Sequence, residues 1–115
     1  MTASPAAAAG VSRALDRAGL KRAREIQKGV ELQGYYASPA GDHVRVEYVP
    51  GPLVDEDAAP GVTADGLQRC QAALTEKYDV QQSTAMLAYP GEMRAGQVLE
   101  VRSSRWEQRG EDGAS

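Results

Sequence analysis

Residues 30–49 read VELQGYYASPAGDHVRVEYV, two alternating runs around a cluster of turn formers. In the first run Val30, Leu32, Gly34 and Tyr36 fall on one side, and Glu31, Gln33, Tyr35 and Ala37 on the other. In the second, Val44, Val46 and Tyr48 share a side. A period of two marks a half-buried strand. Ser38-Pro39-Ala40-Gly41-Asp42 between the runs is turn chemistry. The stretch predicts a β-hairpin. Pairing Tyr36 with Val44 sets Gly34 opposite Val46 and Leu32 opposite Tyr48, with the apolar set on one face. Tyr35 and Arg45 then belong to the outer face.

Upstream, Val11, Ala14, Leu15 and Ala18 recur at helical spacing. Gly19 stands where a C-cap glycine would, with Leu20 as its hydrophobic contact. A helix over about 10–18 is predicted, with a continuation to Lys28 left open. Residues 1–9 are read as a flexible tail, although Ser4-Pro5 also suits an N-cap and first turn. Downstream, Pro50, Gly51, Pro52, Pro60 and Gly61 mark a loop over 50–62. Thr63 is the predicted cap of a second helix, whose stripe is Leu67, Cys70, Leu74 and Tyr78. Gly66 is expected to weaken its first turn. Thr84–Tyr89 and Gln97–Arg102 read as two further strands, with Leu99 and Val101 inward. Residues 104–115 carry no periodicity and are read as a flexible tail in which Trp106 is the one residue suited to docking.

The expected fold is a small two-layer α+β domain over 10–103. Its order is helix–hairpin–helix–hairpin, with an antiparallel sheet and both helices on one face.

The chain has 115 residues, room for one domain. Hydrophobic residues make up 42%, but 19 of them are Ala, and Val, Leu and Ile together number 19, with no Phe. A core this thin leaves little margin over chain entropy, so self-association or a covering partner is expected. The net charge of −3 excludes a histone-like chain and a polyacidic tail. One Cys and one His exclude an internal disulfide and a zinc cage. No stretch approaches the ~18–20 apolar residues of a membrane span. A cytoplasmic chain without a membrane partner is the expectation, and a lone Cys suits a reducing compartment.

Catalytic candidates are few. His43 needs a partner and a nucleophile to act as a base. Asp42 adjoins it but is expected on the opposite face. Cys70 lies on an apolar stripe, where a buried inert thiol is expected; with His43 it is the sole candidate couple. Asp55-Glu56-Asp57 lacks the ligand spacing of a calcium loop and reads as a solvated acidic loop. Glycine-rich nucleotide loops and the nucleophile-elbow motif are absent. No catalytic residue, cofactor, metal or small-molecule substrate is indicated.

The patterned feature is basic. Arg13, Arg17, Lys21, Arg24 and Lys28 are spaced to form one stripe if the helix runs on past Gly19. Residues 1–28 carry six basic and two acidic side chains, whereas residues 29–65 carry one and seven. Such a stripe suits phosphates or an acidic partner. Tyr35 and Arg45 on an open sheet face are a weaker single-stranded RNA platform, opposed by Glu31 and Glu47.

Val11-Ser12-Arg13-Ala14-Leu15 resembles the recognition helix of LacI-type repressors over five residues. The helix and turn which that family places before it are missing, so nothing is carried over. Val11 to Gly19, the hairpin from Val30 to Val49 and the helix from Leu67 to Tyr78 together resemble short uncharacterised proteins of high-GC actinobacteria and their phages. That resemblance implies no activity. The sequence thus points to a small non-catalytic binding or accessory protein that acts through a protein partner or as a homodimer. The alternative is nucleic-acid binding through the basic N-terminal helix.

Overall fold

The computed structural model describes residues 4–27, 30–51, 55, 57–89 and 92–103. The elements run α1 (Pro5–Arg17), β1 (Arg24–Gln27), β2 (Val30–Leu32), β3 (Gly34–Ala40), β4 (His43–Val49), α2 (Ala59–Leu74), β5 (Asp79–Tyr89) and β6 (Glu92–Arg102). The protein is a small α+β domain. A four-stranded antiparallel sheet has the order β3-β4-β6-β5, and β1 and β2 form a separate two-stranded sheet.

The first helix starts five residues before its predicted start, so residues 5–9, read as tail, are helical. Ser4 Oγ accepts the Ala7 amide at 3.1 Å, and Pro5 occupies the first turn, where no amide is needed. The helix does not continue to Lys28. The Leu20 amide donates to the Leu15 carbonyl and the Gly19 amide to that of Asp16, closing a Schellman motif with φ +89° at Gly19. Leu20 packs against the core, as its position predicted. The N-terminal residues 1–3 and the predicted tail 104–115, with Trp106, lie outside the described residues.

The hairpin stands where the sequence placed it, but its register differs. Tyr36 pairs with Glu47 rather than Val44, a slip of three. An odd slip turns every side chain of the strand to the other face. Tyr35, Ala37 and Pro39 therefore lie opposite Tyr48, Val46 and Val44. The turn is shorter than expected. Ser38, Pro39 and Ala40 stay in β3, and only Gly41-Asp42 reverse the chain. Gly41 takes φ +75°, the positive value that the first position of a type II′ turn demands. Pro39 is tolerated because β3 is an edge strand. The run 30–37 is also broken: it bends at Gln33, and Val30–Leu32 pair with β1, not β4.

Tyr35 is 1% exposed, so the predicted outer-face tyrosine is a core residue. Its hydroxyl lies 2.8 Å from the Ser12 carbonyl and 2.5 Å from Asp16 Oδ1, and its one proton serves either acceptor. Arg22 Nε donates to the same hydroxyl at 3.2 Å, and Arg22 Nη2 to Asp16 Oδ2 at 2.8 Å. The bonds from Arg22 and then Tyr35 hold the Asp16 carboxyl below its usual pKa. The Tyr35 amide donates to the Lys21 carbonyl, and the Ala23 amide to that of Tyr35. The 21–23 segment thus pairs with the outer edge of β3 at Tyr35.

The core joins Ala7, Ala8, Val11 and Leu15 of α1 with Leu67, Cys70 and Leu74 of α2, and with Tyr35, Val44, Val46, Leu99 and Val101 of the sheet. Helix α2 starts at Ala59, so residues 59–62 of the predicted loop are helical; Pro60 fits a first turn. Gly66 is not merely a weak helix former. A Cβ built there falls 2.3 Å from the Tyr48 ring, so glycine lets α2 approach β4. The last hairpin is longer than predicted, with 11 residues in each strand and residues 92–96 extended rather than looped.

Two outcomes follow from this packing. Urea unfolding should show that Tyr35→Ala costs about 3–5 kcal/mol, the usual range for a buried aromatic, and Tyr36→Ala clearly less. The reverse order would restore the register with Tyr36 inward. Gly66→Ala, which helix propensity alone would favour by about 1 kcal/mol, should instead destabilise by about 1–3 kcal/mol through overpacking. Gly61→Ala, with nothing within 4 Å of its Cβ, is the control and should be neutral or stabilising.

Candidate functional site

The basic stripe is not assembled on one helix. Arg13 and Arg17 are exposed on α1, one turn apart, and Lys21 is exposed in the connection beyond Gly19. Arg24 belongs to β1, and Lys28 lies outside the described residues. The Schellman motif breaks the continuity that the spacing required. Arg22 is bound to Asp16 and Tyr35. The RNA platform loses its aromatic as well, since Tyr35 is in the core and Arg45 alternates away from it.

The catalytic candidates are separated too. His43 Nδ1 lies 2.8 Å from Asp42 Oδ1. This corrects the expectation that the two point apart: Asp42 is a turn residue, free of strand alternation. Arg102 Nη2 bridges Asp42 Oδ1 at 3.3 Å and Glu100 Oε1 at 3.0 Å. Hydrogen bonds from Ser83 and then Arg102 lower the Glu100 pKa, and the His43 contact lowers that of Asp42. Arg45 stands 4.0 Å from Glu47. The face that alternates with Val44, Val46, Leu99 and Val101 thus pairs Arg45 with Glu47 and Arg102 with Glu100, and it also carries Val98, which is 2% exposed. Cys70 lies in the core cluster, on the other side of this sheet from His43. Burial pushes its thiol pKa up to about 12. Among the described residues no group of three or more His, Cys, Asp or Glu is placed to hold a metal. In the acidic loop, Asp55 uses its backbone carbonyl to accept the Ala58 and Ala59 amides, and Glu56 lies outside the described residues.

The geometry singles out the opposite edge of the sheet. β5 is the last strand in the order, so among the described residues only β6 pairs with it. Its sequence is DVQQSTAMLAY, with a charge only at Asp79 and no Pro, Gly or Lys. The ladder from Asp79↔Arg102 to Tyr89↔Glu92 runs without a bulge. Natural edge strands are usually blunted by prolines, bulges, inward charges or short length. The β3 edge has Pro39 and the 21–23 segment; β5 has none of these.

The β5–β6 hairpin also overshoots the sheet. β4 meets β6 only from Val44↔Val101 to Val46↔Leu99, so residues 84–89 and 92–97 pair only with one another. A two-stranded ribbon is marginal by itself. Met86 and Met93, 58% and 57% exposed, are diagonal neighbours on it, on the side that carries Leu99 and Val101. Beside the ribbon's base lies a cleft of about 380 Å³ between α2 and the hairpin, lined by Leu67, Gln68, Gln82, Thr84 and Gln97 among others. The sequence reading missed this site because Gln81-Gln82-Ser83 shows no apolar alternation. A usable signal was present: residues 80–91 are twelve in a row without a charge, in a chain that is 25% charged.

No family model matches the chain, and no curated protein or solved structure matches it. No helix among the described residues is long and apolar enough to cross a membrane.

The state of Cys70 is directly measurable. At pH 8 the native protein should leave a thiol reagent such as DTNB unreacted over the time in which the urea-unfolded chain reacts fully. Prompt native reaction would contradict a buried thiol with a raised pKa.

Proposed function

We propose that this chain is a small non-catalytic binding protein that acts through protein–protein contacts, and that β5 with its ribbon is the contact surface. One observation carries the reading: an 11-residue edge strand that, among the described residues, is free of protective features. An open edge offers a row of backbone donors and acceptors to an incoming strand, and alternate side chains add selectivity. Exposed Met86 and Met93 supply adaptable apolar contacts of the kind enriched at interfaces. In this reading both helices sit against one face of the sheet, and the edge at β5 is left for the partner. A cytoplasmic setting agrees with the free buried thiol of Cys70.

A photo-crosslinking amino acid at position 86 tests the reading in an extract of the native cells. Discrete protein adducts, of the chain itself or of another protein, are expected at 86 and not at position 13 on α1. No adduct at 86, or the same adducts at both positions, would overturn it.

A further inference from the structure

We infer that the occupant of the β5 edge is a second copy of this chain, joined by antiparallel β5–β5′ pairing about a twofold axis at Thr84. This deepens the reading of the edge as a protein-binding surface and rests on it. The first support is charge. With Thr84 opposite its own copy, Ser83 meets Ala85, Gln82 meets Met86, Gln81 meets Leu87 and Val80 meets Ala88. Asp79, the strand's only charge, meets Tyr89. No like charges face one another, the condition a self-complementary strand must satisfy.

The second support is the cleft. Gln82, Thr84 and Met86 share the side of the ladder that carries Leu99. Opposite Gln82 stands Met86 of the second copy, on the side where Gln82 and Thr84 line the 380 Å³ cleft with Leu67 of α2. One pairing thus covers the bare edge and brings the exposed methionine to the cleft of its partner. It also gives each marginal ribbon a third strand. The two edges of the sheet are unlike, so pairing stops at two: β3 is interrupted by the 21–23 segment at Tyr35 and by Pro39. At about 3.4 Å per residue the paired edge is about 37 Å long and one strand wide. Such an interface belongs to the small class, and assembly at micromolar concentration is expected.

Sedimentation velocity from about 1 to 300 μM tests the inference on the full chain. A monomer–dimer equilibrium is expected, with the dimer dominant at the upper end. Thr84 is exposed, so Thr84→Lys and Thr84→Glu should keep the native circular dichroism spectrum. Each alone should be monomeric at every concentration, because like charges meet on the axis. Their equimolar mixture should restore the dimer. In a Cys70→Ser background, Thr84→Cys should oxidise to a covalent dimer at least tenfold faster than Arg17→Cys. A wild type that stays monomeric to 300 μM overturns the inference. If position 86 then still captures another protein, the binding reading survives with a foreign strand as occupant; if it captures nothing, both fall. A dimer that Thr84→Lys leaves intact also overturns it, because the interface then lies elsewhere.

Discussion

The Tyr35 hydroxyl is the point on which the rest of this fold depends. A buried phenol must keep a hydrogen-bond partner, and here it finds the Ser12 carbonyl and the Asp16 carboxylate of α1. That requirement ties α1 to β3 and brings Arg22 over the same carboxylate. It also fixes which side of β3 faces inward. With Tyr35 inside, Ala37 and Pro39 take the same side of the strand, and the chain turns at Gly41-Asp42. The 21–23 segment, held to Tyr35 by two backbone bonds, then occupies the β3 edge at that residue. Among the described residues the two edges of the sheet thus differ: β3 carries a partner segment at Tyr35, and β5 carries none.

The second constraint is the scarcity of large apolar residues. The core is built from Ala, Val and Leu with Cys70 and one tyrosine ring fully inside, and its elements approach closely. Gly66 lets α2 meet Tyr48, and alanines at 7 and 8 let α1 sit deep in the cluster. There is enough of this material to cover the sheet where β4, β6 and the helices overlap. The distal ribbon lies beyond that overlap, and its methionines are left to solvent. A thin core and the exposed methionines of the ribbon are two consequences of one composition.

Much of this was legible in the sequence, and the exceptions have identifiable causes. Ser4-Pro5 and Gly19-Leu20 are local chemistry, and both ends of α1 carry the bonds that those residues can make. The stripe of Leu67, Cys70 and Leu74 needs only the helical period, and the inward placement of Leu99 and Val101 only alternation. The register of the first hairpin was not legible. Both registers place apolar residues together, and a polar hydroxyl satisfied 19–23 residues away in the chain decided between them. The β1–β2 pair escaped because a bend at Gln33 splits an apparently continuous run. The candidate site escaped for a related reason: an edge strand of Gln, Ser, Thr and Ala is recognised by its missing charges and by its place in the strand order, which is a tertiary fact. The basic stripe shows the converse, a regular spacing that the Gly19 turn dismantles.

Amide hydrogen exchange along β5, followed residue by residue at low and high protein concentration, reads directly whether a second strand occupies this edge. Alternate amides of an edge strand point away from its single neighbour. One alternate set within Val80–Tyr89 should be protected at every concentration by β6. The other set should exchange freely in dilute solution and become protected as concentration rises, while Tyr35 stays protected throughout. Protection of both β5 sets in dilute solution, or free exchange of the outward set at the highest concentration, would contradict concentration-dependent pairing at this edge.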